Sequence, residues 1–317
     1  MDNENRTVVV LRYKSEFKSL WDSFVSTSKN GVFLFYRDYM EYHSNRFKDN
    51  SLLFFKEGKI VGLLPANIED CTLCSHAGLT FGGLISGYSM TTPLMMEIFE
   101  QLVQQCKEEG INKIVYKTVP YVYHSIPADE DLYALFRYNA KLTGRSSSSC
   151  IYIPEKREFS SRITRAIKKA EKHNLIVEKS TNLTDFMGIV SNILSEKYKT
   201  KPVHTLQEIA YLGKRFPDNI KLFASFSDDV MLAGILVYES KNVAHSQYSV
   251  GLKEGQDIGA LDLIYNYLIT NYYKDKKYFD FGISTEMLGQ ILNVGLICHK
   301  EAFGATAIMY DTYELSF

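Results

Sequence analysis

An internal echo constrains this chain more than any other feature. Arg46-Phe47-Lys48-Asp49-Asn50 returns 169 residues later as Arg215-Phe216-Pro217-Asp218-Asn219, and Ser75-His76 returns in the same register as Ala244-His245. A chain that repeats itself at such a spacing is built from copies of one structural unit, and the pattern around each echo supports that reading. Each is followed by an apolar stretch (52–55; 221–226), a turn (Glu57-Gly58; Ser227-Asp228-Asp229) and a second apolar stretch (60–66; 231–238), which together predict a hairpin. A third strand, a glycine-containing loop and a helix come next. The helices are predicted over 93–109, with Leu94, Ile98, Leu102 and Val103 on one face, and over 259–273, with Leu261, Ile264, Leu268 and Ile269 on one face. Thr92 and Pro93 read as the cap and first residue of the earlier helix. Strands at 113–116 and 278–281 close the two units.

Between the repeats lies Gly144-Arg145 followed by four serines, which reads by composition as a boundary and divides the chain into 1–150 and 151–317. A short strand at 151–153 and a helix at 160–173 follow. That helix sets Ile163, Ala166, Ile167 and Ala170 against Arg162, Arg165, Lys169 and Lys172. The chain of 317 residues has a net charge of −1, so it carries no global signature of a polyanion-binding protein. Locally, 156–172 holds seven Lys or Arg against two Glu. A solvated helix face is the ordinary reading; attraction of coenzyme A phosphates or of a tRNA backbone, with Arg165 as a contact, is the functional one. No motif for reading DNA sequence is present.

Five scattered cysteines fit reduced thiols. Cys71 and Cys74 have zinc-knuckle spacing beside His76, but no second pair follows at a suitable distance, so no metal site is expected. The polar start of the chain, Met1 to Arg6, lacks a secretory pattern, and no run approaches the ~18 apolar residues of a membrane span. A cytoplasmic protein without a membrane span is therefore expected.

The element order (antiparallel strands, a loop opening a helix, then a further strand) resembles the GNAT acyltransferase fold, and two such units in tandem resemble the Fem-type aminoacyl transferases. Two stretches carry the likeness. Arg162-Ile163-Thr164-Arg165-Ala166-Ile167-Lys168-Lys169-Ala170 is similar to the R-x-x-I-x-K-A opening of the family's second unit. Gly295-Leu296-Ile297-Cys298-His299-Lys300-Glu301-Ala302-Phe303-Gly304 is similar to its G-L-x-x-F-K-x-x-F-G ending, with His299 where the family has Phe. The resemblance covers nearly the whole chain. It implies an α/β (α+β) fold of two tandem GNAT-like units, each a mixed, mostly antiparallel sheet flanked by helices. It also implies transfer of an acyl or aminoacyl group to an amine or hydroxyl. The donor would be acyl-CoA, a co-substrate rather than a tightly bound cofactor, or aminoacyl-tRNA; the acceptor would be a small molecule or a cell-envelope precursor. A non-catalytic ligand-binding protein on a degenerate GNAT fold is the alternative.

The resemblance carries the family's motif lysine onto Lys300, where a cation would stabilise an oxyanion as an amine attacks a carbonyl. Amine acylation also needs a proton acceptor, and Asp280 and Glu286, flanking 281–285 just past a strand end, are the carboxylate candidates. The GNAT pyrophosphate loop is matched in part by Gly255, Gln256, Gly259 and Ala260, although Leu261 replaces the final small residue. A helix entry capped through Asp257, with glycines only for the turn, explains the same residues. Strand alternation places His245 and Gln247 on one face and Ser246 and Tyr248 on the other, making His245 and Tyr248 candidate substrate contacts. Tyr121, in the aromatic stretch 117–124, is a further one. The loop 75–88 of the first half has four glycines but no Arg or Lys between Cys74 and Thr92. It reads as a structural bend rather than a phosphate cradle.

Overall fold

The computed structural model describes residues 7–317, with only the backbone of Lys197 and Tyr198; the polar stretch Met1 to Arg6 lies outside the described residues. The chain forms two compact units. Among the described residues, unit 1 comprises 7–147, 285–291 and 309–317, and unit 2 comprises 148–284 and 292–308.

Unit 1 contains strands β1 (Val9–Arg12), β2 (Leu52–Lys56), β3 (Lys59–Leu64), β4 (Asn67–Glu69), β5 (Thr72–Cys74), β6 (Ile85–Ser86) and β7 (Lys113–Lys117). Its helices are α1 (Lys18–Thr27), the single turn α2 (Arg37–Met40), α3 (Thr92–Glu108) and α4 (Glu130–Arg137). The strands β1-β2-β3-β6 form an antiparallel sheet, and β5 runs parallel to β7. The predicted hairpin at 52–66 is β2–β3, turned at Glu57-Gly58 with both residues at positive φ, where the glycine is at ease. The predicted helix is α3, which begins one residue earlier than expected: Thr91 supplies the capping oxygen to the Leu94 amide. Its apolar face (Ile98, Leu102, Val103) joins Phe54, Leu64, Ile114 and Leu315 in the core of this unit.

A long strand, β8 (Lys141–Tyr152), begins in unit 1 and ends in unit 2. Gly144 and the four serines read as a boundary stretch lie inside this strand, and the division between the two units falls among those serines, between Ser147 and Ser148, so the boundary is a strand and not a loop. Unit 2 continues with α5 (Ser161–Lys172), β9 (Ile176–Ser180), α6 (Leu183–Tyr198), α7 (Leu206–Arg215), β10 (Ile220–Ser227), β11 (Val230–Glu239), β12 (Val243–Gly251), α8 (Lys253–Ile258), α9 (Ala260–Tyr267) and β13 (Tyr278–Ile283). After the two-residue strands β14 (Thr285–Glu286) and β15 (Ile291–Leu292) come α10 (Val294–Glu301) and β16 (Thr306–Ser316), whose last residues pair with β7 in unit 1.

The sheet order in unit 2 is β8-β13-β12-β11-β10-β9. All pairs are antiparallel except β12 with β13, which run parallel across the crossover through α8 and α9. Residues 231–238 of β11 are buried without a break, the mark of a strand covered on both faces. Gly234 makes room for the Phe186 ring of α6, whose Cδ2 would stand 2.6 Å from an added Cβ. Ile264 and Leu268 after it pack with Ile163 and Ile167 of α5 and with Phe223 and Ile235 in the core of this unit. The basic helix is thus amphipathic as expected, with Arg162, Arg165, Lys168, Lys169 and Lys172 on its exposed side.

Candidate functional site

The parallel pair β12–β13 pairs at three positions only: Val243 with Tyr278, Ala244 with Phe279 and His245 with Asp280. Beyond that rung the strands part. A bulge shifts the register of β12 against β11, so that Leu236 faces Tyr248 and Val237 faces Ser246, leaving Gln247 without an opposite residue. The strict alternation expected for 245–248 is therefore broken at Gln247. On the other side β13 reaches Gly282, at φ +80°, and Ile283 pairs with Ser148 of β8.

Polar side chains gather at this fork. Asp280 is fully buried, and its carboxylate accepts from the Ser148 hydroxyl at 2.6 Å, the Gly282 amide at 2.9 Å and His245 Nδ1 at 3.0 Å. Lys300, 6% exposed, enters from α10 and donates to the carbonyl oxygens of Gly282 at 2.8 Å and Ile283 at 2.9 Å. Burial lowers its pKa to about 8, against the upward pull of the Asp280 charge. Three of the expected site residues, Lys300, Asp280 and His245, thus meet around one peptide, that of Gly282.

The terminal motif explains how Lys300 is held there. Asn293 caps α10 through the Leu296 amide at 3.0 Å; Phe303, fully buried, anchors the far end in the core; Gly304 turns the chain at φ +83° against the Arg157 carbonyl. His299, in the place of the motif's Phe, meets Phe303 edge-on at 5.5 Å. Its Nδ1 lies 3.3 Å from Arg162 and its Nε2 3.8 Å from Asp262. Burial, with Arg162 and Lys300 nearby, lowers its pKa to about 4, while burial raises that of Asp262 to about 6.

The stretch 253–258 is a helical turn and a half, α8, rather than an open loop, because backbone bonds such as Gln256 N to Leu252 O at 2.8 Å close it. Its glycines face protein: a Cβ on Gly255 would stand 2.6 Å from the Leu232 carbonyl oxygen, and one on Gly259, at φ +82°, would stand 2.5 Å from that of Ala166. The exposed Gln256 returns its amide to the Gly251 carbonyl at 2.7 Å, and Ala260 is buried at the start of α9. Tyr248 shares its hydroxyl with His204, 2.8 Å from Nδ1. Arg165 is exposed on α5. Tyr121 belongs to unit 1, 58% exposed in a single 3₁₀ turn, and Glu286 is exposed in β14 of the same unit. Sequence reasoning missed Ser148. Its only signal was membership of a serine run, and the register that brings it to Asp280 is a tertiary property.

No family model matches the chain. A search of curated proteins likewise finds no match. Solved structures do match its fold. FemX superposes with a TM-score of 0.70 at 11% identity over 98% of this chain and 97% of FemX. L-PGS from Bacillus licheniformis gives 0.64 at 10% identity over 95% and 91%, respectively. A tandem GNAT protein from the clavulanic acid biosynthesis pathway gives 0.54 at 10% identity over 98% of both chains. The chain has the tandem GNAT fold. At these identities the likeness establishes architecture, and function is argued from the site.

Proposed function

We propose that the chain is an acyltransferase or aminoacyltransferase that works at the fork between β12 and β13 in unit 2. The observation that carries this reading is the convergence of a buried cation, Lys300, and the His245–Asp280 pair on the place where two parallel strands separate. A carbonyl group entering the fork would meet a positive charge in a low-dielectric setting, where preorganised donors stabilise a developing oxyanion most effectively. Lys300 spends two of its three protons on backbone carbonyls, which fixes its direction and leaves one for a ligand.

The donor is an activated acyl group, either the thioester of acyl-CoA or the ester of aminoacyl-tRNA, and the acceptor is an amine or hydroxyl of a small molecule or cell-envelope precursor. The exposed cations of α5, Arg165 among them, support a polyanionic donor. Gly255 and Gly259 are accounted for by packing against Leu232 and Ala166, which weighs toward the tRNA ester over a CoA pyrophosphate held by this loop.

The test is a donor screen by thermal shift and by transfer of a labelled acyl group to model amines. A ligand at one hundred times its dissociation constant adds about 2.7 kcal/mol of stability, a readily measured rise in Tm. Binding and transfer from one donor class supports the reading. No shift with CoA, acetyl-CoA or aminoacyl-tRNA, together with no transfer, counts against it. No helix among the described residues is long and apolar enough to cross a membrane.

A further inference from the structure

We infer that His245 is the proton acceptor of the transfer and Asp280 the carboxylate that positions it; the inference rests on the acyl-transfer reading. Asp280 cannot be reached by a substrate directly, because it is fully buried and its oxygens take three donors, from Ser148, Gly282 and His245. With Nδ1–H donated to this anion, the imidazole is fixed as the tautomer whose Nε2 carries the lone pair. No described residue hydrogen-bonds Nε2, and the side chain is 12% exposed.

Gly282 keeps the space beside that edge of the ring: a Cβ there would stand 3.3 Å from His245 Cε1 and 3.9 Å from Nε2, and at φ +80° the position favours glycine in any case. The charged and titratable groups around the imidazole are Asp280 on β13, Tyr238 facing it across the β11 ladder, and Lys300 from α10, bonded to the Gly282 carbonyl. The neighbouring Ser246 hydroxyl pairs with Tyr265 in the core at 3.2 Å and takes no part.

The step balances without an added reactant. The acceptor nitrogen, as a neutral amine, gives its lone pair to the donor's carbonyl carbon, the C=O π pair moves to oxygen beside Lys300, and the nitrogen's proton passes to His245 Nε2. Collapse of the adduct breaks the bond from carbon to the leaving sulfur or oxygen, which takes the electron pair and recovers the proton from Nε2. The amide is formed, the leaving group departs as a thiol or hydroxyl, and the imidazole is neutral again.

Two readouts test the assignment. The chain has seven histidines, and the His245 signal is assigned in a ¹⁵N-histidine NMR spectrum by its loss in His245→Asn. That variant retains a donor toward Asp280 in the place of Nδ1 and removes Nε2. The wild type is expected to show the Nδ1–H tautomer and Asp280→Asn the Nε2–H tautomer, because an amide can donate to Nδ1. A wild-type Nε2–H tautomer overturns the assignment whether or not turnover is seen. In turnover, His245→Asn is expected to lose kcat by about 100-fold or more with KM near the wild-type value, and to lose the acid limb of the pH profile. An acid limb intact in His245→Asn overturns the assignment. Absence of wild-type turnover with every donor counts against acyl transfer alone, since the tautomer still decides the geometry.

Discussion

Replacing Lys300 by Met tests the electrostatics of the fork without reference to any substrate. Met keeps most of the aliphatic stem and removes the charge with its two bonds to the Gly282 and Ile283 carbonyls. Burial lowers the Lys300 pKa to about 8 from 10.5, so between those values the unfolded chain holds a proton that the folded chain has released. The contribution to stability therefore rises with pH through this window. Below about 8 both states are protonated and the folded state bears the cost of a buried ammonium; above 10.5 neither state is charged. The full difference is about 3 kcal/mol at roughly 1.4 kcal/mol per pH unit. Lys300→Met lacks this contribution, so the stability of wild type over variant should grow by about that amount between pH 7 and pH 10.5. Lys117 in unit 1, lowered by burial to about 8 in the same way, is present in both proteins and cancels in the difference. Urea denaturation at half-unit pH steps, followed by far-UV circular dichroism, measures the quantity. The single tryptophan, Trp21, lies in unit 1 and its fluorescence marks that unit's transition separately. A difference that stays flat with pH refutes the placement of a charged Lys300 in a dry setting.

Three further outcomes follow from the same geometry. Gly259→Ala forces a left-handed residue and sets a Cβ 2.5 Å from the Ala166 carbonyl, so unit 2 should lose about 2 kcal/mol or more in urea denaturation, with no loss if α5 shifts freely. Gly82→Ala places a methyl on the Ser75 carbonyl oxygen, and the Trp21 transition should move down by about 1–3 kcal/mol; an unchanged midpoint would show that the 75–83 loop is not packed as described. His76, stacked on His43 at 5.3 Å, has its pKa lowered by burial from 6.5 to about 3. The unfolded state then binds the extra proton, and unit 1 should lose stability as pH falls from 6.5 toward 3, up to about 5 kcal/mol, a slope that His76→Leu should diminish.

Much of the architecture was legible because hydrophobic periodicity is a local property. The hairpins β2–β3 and β10–β11, the helices α3 and α5 and the closing strands β7 and β13 stand within a few residues of their expected places. The terminal motif was legible for a related reason: Phe303, Gly304 and Lys300 each have a job fixed by a few neighbours, namely anchor, turn and buried donor. Registers and bulges were not legible. Ser148 reaches Asp280 only because β8 pairs with β13, and the bulge at Gln247 is a mismatch between two ladders that neither strand announces alone. The glycines of 255–261 fit two readings in the sequence for a physical reason. The residue type that lets a phosphate approach backbone also lets backbone approach backbone, as at Leu232 and Ala166.

The echo of Ser75-His76 in Ala244-His245 acquires a different meaning in the structure. His245 lies inside β12, whereas His76 lies beyond the end of β5, so the two are not in equivalent places. The units do share a parallel pair of three rungs, Thr72 to Cys74 with Lys113 to Val115 in one and Val243 to His245 with Tyr278 to Asp280 in the other. What comes after the third rung separates them. In unit 1 the Ser75 amide bonds the Val115 carbonyl at 2.9 Å and its hydroxyl accepts from the Lys117 amide at 2.7 Å, so the strands are stitched together where those of unit 2 part. Gly82 then lies on the Ser75 carbonyl, Gly83 at φ +83° lies against Lys117 and Tyr116, and Lys117 donates to the Ala77 and Leu79 carbonyls. Each unit thus commits a lysine to backbone carbonyls near its parallel pair, half-buried Lys117 in unit 1 and buried Lys300 in unit 2. In unit 1 the carbonyls belong to the glycine loop, which packs over the end of the parallel pair. In unit 2 they belong to the strand that carries Asp280, and His245 retains an edge that no described side chain covers with a hydrogen bond. A three-rung parallel pair is thus closed by its own glycine loop in unit 1, whereas in unit 2 the strands part beyond His245 and Asp280.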